Sequence, residues 1–226
     1  VMIIKVCGMR EADNIRAVEQ LGIDWIGLVF CPSSPRYVQH VSSRAGIIPD
    51  YSSLSEDVIS ASPAKRVGVF VDDMPQNIVT AVVNYHLDIV QLHGSESPVM
   101  IDNLRRTIDP DIHPGIKVMK AIALSTVDDL ALCNDYEKVV DYFLFDTKGK
   151  NAGGNGVSFD WKILKSYKGK VPFLLSGGIG PDDAEKVKAF SHPQFMGIDL
   201  NSRFEKAPGE KDVILLEQFV QQVRKN

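Results

Sequence analysis

"IIKVCGMREADNIRAVEQLGIDWIGLVF", residues 3–30, sets two short apolar runs on either side of a segment with helical spacing. Residues 3–7 and 25–30 are rich in β-branched and aromatic side chains and have the length of strands. Between them Ala12, Ile15, Val18 and Leu21 recur at the interval that lines one face of a helix. Strand, helix and strand in that order form a βαβ unit with its strands parallel. The pattern then repeats along the chain. Further runs stand at 66–71, 89–92, 116–121, 142–146, 172–176 and 196–200, which makes eight. Ile78, Val82 and Tyr85, then Ala184, Val187 and Phe190, carry helical spacing between runs, and residues 213–223 do so after the last. Eight such units in 226 residues predict an α/β fold, a (β/α)8 TIM barrel formed by 1–226 as a single domain. A doubly wound sheet is the competing arrangement. No linker-like shift divides the chain; 148–157 reads as a glycine-rich loop and 41–62, rich in serine, as an irregular segment.

Composition narrows the partners. Acidic residues number 29 against 25 basic, a net charge of −4 with no dense Lys/Arg block, which argues against nucleic acid or an anionic membrane. Cys7, Cys31 and Cys133 form neither CxxC nor CxxH pairs, so a disulfide framework and a zinc site are both unsupported. No run approaches the roughly 18 apolar residues of a membrane span, and the start lacks a basic region followed by an apolar core. A reducing cytoplasm is the expected compartment.

In a barrel of this kind the chemistry is carried by the C-terminal ends of the strands and the loops after them. Those ends are polar here: Cys7-Gly8, "CPSSPRYV", "QLHG", "FDTKG", "LSGGIG" and "GIDLNSR". Strand alternation puts Lys5 and Cys7 on one face and Ile4 and Val6 on the other, so a Lys5 inside the barrel carries the Cys7 thiol into the barrel mouth. Asp146 shares a face with Leu144, opposite Phe143 and Phe145, and enters the same mouth. Taken singly, a cysteine is a small buried hydrophobe, an aspartate a helix cap and His93 a satisfied strand-end imidazole. Arg36, in its proline-rich loop, is either a solvated charge or a fork for a carboxylate. In "SGGIGPDDAEKV" the glycines precede Pro181 at a helix start, so backbone N–H groups can converge on an anion. Barrels frequently hold phosphate between the loops after strands seven and eight, where this segment and "GIDLNSR" fall.

Together these segments resemble the phosphoribosylanthranilate isomerases of tryptophan biosynthesis along nearly the whole chain. The matching landmarks are "KVCGM" at 5–9, "SPRYV" at 34–38, "VQLHG" at 90–94, "FDT" at 145–147, "GGNGVSFDW" at 153–161, "LSGGI" at 175–179 and "GIDLNSR" at 197–203, with "PGEKD" at 208–212 beyond them. The resemblance implies an Amadori rearrangement of N-(5′-phosphoribosyl)anthranilate to 1-(2-carboxyphenylamino)-1-deoxyribulose 5-phosphate, without metal or organic cofactor. It implies Cys7 as general base, Asp146 as general acid and Arg36 as the group that holds the anthranilate carboxylate. It further implies a substrate- and phosphate-binding set of His93, Gly154, Gly156, Gly177, Gly178, Asp199, Asn201 and Ser202. The expected partner is a small phosphoribosyl molecule, with the chain a monomer or homodimer.

Two segments depart from the family pattern: "GMR" follows the cysteine, and "NSRFE" replaces a commoner small-residue turn after strand eight. Arg203 there either caps the phosphate or projects to solvent, and solvent is the expectation. Cys7 is expected to ionise more readily than a free thiol, helped by Lys5, a helix N-terminus or bound substrate. Cys7 and Cys31, at the ends of neighbouring strands, are expected as separate thiols near each other. The rival readings are a histidine-pathway phosphoribosyl isomerase, whose family uses aspartates for both proton transfers, and a phosphosugar-binding barrel without catalysis, which needs neither Cys7 nor Asp146.

Overall fold

The computed structural model describes residues 2–38, 64–147 and 160–225. Eight parallel strands close into a barrel in sequence order: β1 Ile3–Val6, β2 Trp25–Val29, β3 Lys65–Phe70, β4 Ile89–Leu92, β5 Lys117–Leu124, β6 Tyr142–Thr147, β7 Phe173–Leu175 and β8 Phe195–Leu200. Every expected run is a strand. The fifth runs on past Ala121, because Ile122 and Leu124 continue the outward alternation begun by Val118 and are buried against the surrounding layer. Helices α1 Ala12–Glu19, α2 Pro75–Tyr85, α3 Pro98–Ile108, α4 Cys133–Tyr136, α5 Ala184–Ala189 and α6 Val213–Arg224 complete the described regular structure together with short 3-10 turns and a β-hairpin, β9 Glu205–Ala207 with β10 Glu210–Lys211. The segments 41–62 and 148–157 lie outside the described residues. None of the described helices is long and apolar enough to cross a membrane.

Alternation along each strand sorts the side chains into two cores. Ile4, Val6, Val90, Leu92, Phe143 and Phe145 point outward and bury themselves among the helices, as their apolar surface demands. Trp25, Val67, Ile89, Met119, Leu144 and Leu174 point inward and fill the barrel interior. A polar layer adjoins this plug. Lys5 of β1 lies opposite Asp199 of β8, and its Nζ is 2.9 Å from Oδ1, with both side chains buried. Charges so far from water are tolerated because each neutralises the other. Beyond them, Cys7, Val29 and Val69 form a third, smaller cluster at the mouth.

A second buried ion pair outside the barrel fixes the loops after β3 and β4. Lys120 Nζ lies 3.1 Å from Glu96 Oε2 and donates to the Gly94 carbonyl at 2.6 Å. Glu96 in turn accepts from the amides of Asp72 at 2.9 Å and Gly94 at 3.0 Å. The Asp72 carboxylate accepts from the Ser95 amide at 2.6 Å, so the two loops are knit together beside His93. Removing one member of a buried pair leaves the other charge without its partner. The variant Glu96→Ala is expected to lose about 3 kcal/mol of stability, on the order of 6–12 °C in Tm, in a urea or thermal unfolding measurement.

Candidate active site

The C-terminal ends of the strands surround a cavity of about 730 Å³, the size of a small-ligand site. Cys7, Arg36, His93 and Asp146 line it from strands one to six. Gly177, Gly178, Asp199, Asn201 and Ser202 line it from the last two. Gly154 and Gly156 lie outside the described residues. Among the described residues no group of three or more His, Cys, Asp or Glu side chains is placed to hold a metal ion.

Cys7 follows β1 directly, and its amide donates to the Leu200 carbonyl of β8 at 2.8 Å, which extends the seam between first and last strands. Room for the thiol comes from β2. A Cβ on Gly27 would stand 2.8 Å from Cys7 Sγ, so any larger residue there collides with it. Against expectation, the thiol is not acidified. Burial pushes its pKa up, and the nearby Asp199 carboxylate adds to that, more than Lys5 and Lys211 pull it down. Lys5 is held as an ammonium: burial opposes its charge, but Asp199 and then Cys7 outweigh that and raise its pKa. The second oxygen of Asp199 accepts from Ser176 Oγ at 3.3 Å, so both are engaged. Cys31 is half-buried, packs against the Cys7 cluster and contacts Ser33 Oγ at 3.2 Å; all three cysteines are free thiols.

Across the mouth, Asp146 Oδ2 lies 3.3 Å from His93 Nε2. The other ring nitrogen, Nδ1, is 3.0 Å from the Gln91 side-chain amide. Gln91 is buried two residues before His93 on the same inward face, and its Oε1 has no partner among the described residues. The imidazole is thereby gripped from both sides and presents Asp146 in one orientation. Sequence reading singled out His93 but not Gln91, although the inward period of "QLH" marks both.

Arg36 is the most heavily engaged of the expected residues. Its Nε donates to Glu205 Oε1 at 2.8 Å and its Nη2 to Oε2 at 2.6 Å, a bidentate pair. Lys211, itself buried, pairs with Glu205 Oε1 and donates to Asn201 Oδ1 at 2.9 Å. Burial alone would raise the Glu205 carboxyl; the hydrogen bonds from Arg36 and the Lys211 charge more than offset it and hold the pKa low. Arg36 and Asn201 both pack over Gly8. A Cβ there would collide with Arg36 Cδ and lie 2.7 Å from Asn201 Oδ1, and φ is +74°. Only glycine meets both demands.

At the opposite rim Gly177 and Gly178 have φ of 86° and 72°, a left-handed double turn. Their amides and that of Ser202 donate to no described residue. The expected helix start is shorter than the sequence suggests: Pro181 opens a 3-10 turn, Pro181–Asp183, before the brief α5. The Gly180 amide is already bonded to Asp183 Oδ2 at 2.7 Å, so that N–H is not available to an anion. Arg203 is exposed, in line with expectation, and its side chain also borders the cavity, because the glycine at 180 leaves open the surface beside it.

The comparisons with known proteins bear on the family and the fold. Residues 4–222 match the family model for N-(5′-phosphoribosyl)anthranilate isomerase. A protein of that name from Parabacteroides distasonis is 45% identical over 98% of this chain and 93% of its own length. A phosphoribosyl anthranilate isomerase structure from Thermus thermophilus superposes with a TM-score of 0.78 at 26% identity, over 98% of both chains. A further isomerase structure, in complex with reduced 1-(o-carboxyphenylamino)-1-deoxyribulose 5-phosphate, superposes with a TM-score of 0.77 at 25% identity, over 99% of both chains. On its closed barrel, its full-length match and the sequence it shares with these relatives, the chain belongs to the N-(5′-phosphoribosyl)anthranilate isomerase family.

Proposed function

We propose that this protein converts N-(5′-phosphoribosyl)anthranilate to 1-(2-carboxyphenylamino)-1-deoxyribulose 5-phosphate, the isomerisation step of tryptophan biosynthesis. The observation that carries the reading is a thiol and a carboxylic acid facing one cavity from opposite walls, between a carboxylate-binding arginine and a glycine turn suited to phosphate. The family relative crystallised with the reduced product analogue supports it.

In this reading Asp146 donates a proton to the ribose ring oxygen as the bond from that oxygen to the anomeric carbon breaks, and a protonated Schiff base forms. The adjacent sugar carbon then becomes acidic. The Cys7 thiolate removes its proton, the electron pair moves toward nitrogen, and the enolamine that results tautomerises to the amino-ketose. Lys5 supports the thiolate with a buried positive charge, and Asp199 serves to hold Lys5 in place, because a carboxylate at that point repels a phosphate. His93, clamped by Gln91, orients Asp146. The free edge of the Arg36 guanidinium takes the anthranilate carboxylate while Glu205 fixes the rest of the fork. The amides of Gly177, Gly178 and Ser202 receive the phosphate. With both ends of the substrate held, the reacting carbons lie between base and acid, and that orientation lowers the barrel's entropic cost of reaction.

The thiol separates this reading from the histidine-pathway alternative, whose family relies on aspartates, and assays with both substrates decide between them. Cys7→Ser and Asp146→Asn are each expected to lower kcat by about 10²–10⁴, the range of a lost general acid or base, while leaving binding of a reduced product analogue intact. Near-normal turnover in either variant overturns the assigned role. Because burial raises the Cys7 pKa, the fraction present as thiolate falls at neutral pH. The kcat/KM of the free enzyme is therefore expected to climb as pH rises through and beyond about 8.5, the ordinary thiol value, and a profile level from neutral pH upward contradicts it. Glu205→Gln weakens the grip on Arg36 and is expected to raise KM about tenfold with a smaller change in kcat, as steady-state kinetics will show.

A further inference from the structure

Arg203 sits in the 3-10 turn Ser202–Phe204 that follows β8. Its guanidinium reaches across to the loop after β7. A Cβ built on Gly180 would stand 3.2 Å from its Nε and 3.5 Å from its Nη2, so the planar group lies against the Gly180 backbone. It lines the same cavity as Gly177, Gly178 and Ser202. Two Arg or Lys side chains line that cavity among the described residues, and they are in different states. Arg36 is committed to Glu205, whereas Arg203 makes no hydrogen bond or ion pair with any described residue.

We propose that Arg203 is a further binding residue for the substrate phosphate, a strap that runs from the eighth loop to the seventh and closes over the glycine turn. The inference rests on the reading that a phosphorylated substrate occupies this cavity. A phosphate monoester carries about −1.5 to −2 charges near neutral pH. Backbone amides supply only partial charges, and two of the amides nearest it come from glycines that carry no side chain. A guanidinium adds a whole charge and a fork of parallel donors matched to two phosphate oxygens.

The test compares Arg203→Gln, and Arg203→Met as a second neutral variant should glutamine disturb the turn, with the unaltered enzyme. Lys206→Gln, an exposed charge on β9, controls for the general surface field. KM for phosphoribosylanthranilate and the competitive inhibition constant of inorganic phosphate are measured at low and high salt. Loss of the strap is expected to raise both about tenfold at low salt, with kcat changed by less than about twofold and the difference shrinking as salt screens it. Arg203 variants whose phosphate inhibition matches the unaltered enzyme, or is shifted equally by Lys206→Gln, overturn the proposal. Direct calorimetric binding of inorganic phosphate separates the two readings. If the unaltered protein binds phosphate but does not isomerise, and Arg203→Gln weakens that binding, the strap stands and the substrate assignment falls.

Discussion

The pairing of Lys5 with Asp199 across the seam between β1 and β8 is the constraint on which the mouth of this barrel depends. Both charges are cut off from water, so each needs the other at hydrogen-bond distance, and that need fixes the register in which the first and last strands meet. Register in a barrel is all-or-none for side-chain direction: a slip by one residue turns every inward group outward. Setting Lys5 inward therefore sets Cys7 inward as well. Setting Asp199 inward brings Leu200 into position to accept from the Cys7 amide.

Glycines do the complementary work by removing obstacles. Gly27 opens the space that the thiol fills, and Gly8 lets Arg36 and Asn201 cross the backbone immediately after the thiol. The Cys7 thiol, the Arg36 guanidinium and the Asn201 side chain thus meet around one turn. Lys211 holds them in common, because it pairs with the carboxylate that fixes Arg36 and also bonds Asn201. Arg36 and the loop after β8 are in this way linked through Glu205 and Lys211.

Much of this was legible in the chain, and the exceptions share a physical cause. Alternation along β1 and β6 was enough to aim Cys7 and Asp146 at the mouth, since the direction of a strand side chain is a local property. Glu205 and Lys211 were not legible as site residues. The partner of Arg36 stands 169 positions away, on a hairpin whose sequence looks like an ordinary polar loop. The ionisation of Cys7 was misread for the same reason. Lys5 is visible from two residues off, whereas the desolvation that prevails over it is produced by the whole closed barrel. The sequence shows Arg203 as a solvent-facing charge, which it is; that it also borders the cavity depends on a gap at Gly180, on a different loop.

The seam has a consequence for the growing polypeptide. Lys5 is made 194 positions before its partner, so the growing chain carries an unmatched cation until the eighth strand has been synthesised. Closure before Asp199 emerges would trap that charge in a dry interior. The β1 strand must accordingly stay solvated, or loosely held, until the last strand arrives. Lys211 follows later still, and its backbone clasps Asn14 through reciprocal hydrogen bonds from and to that side chain. A nascent chain that ends short of this point has its thiol in hand but lacks the residue that completes the Arg36–Glu205–Lys211 cluster, so the mouth is assembled only after the eighth strand and its hairpin have been made.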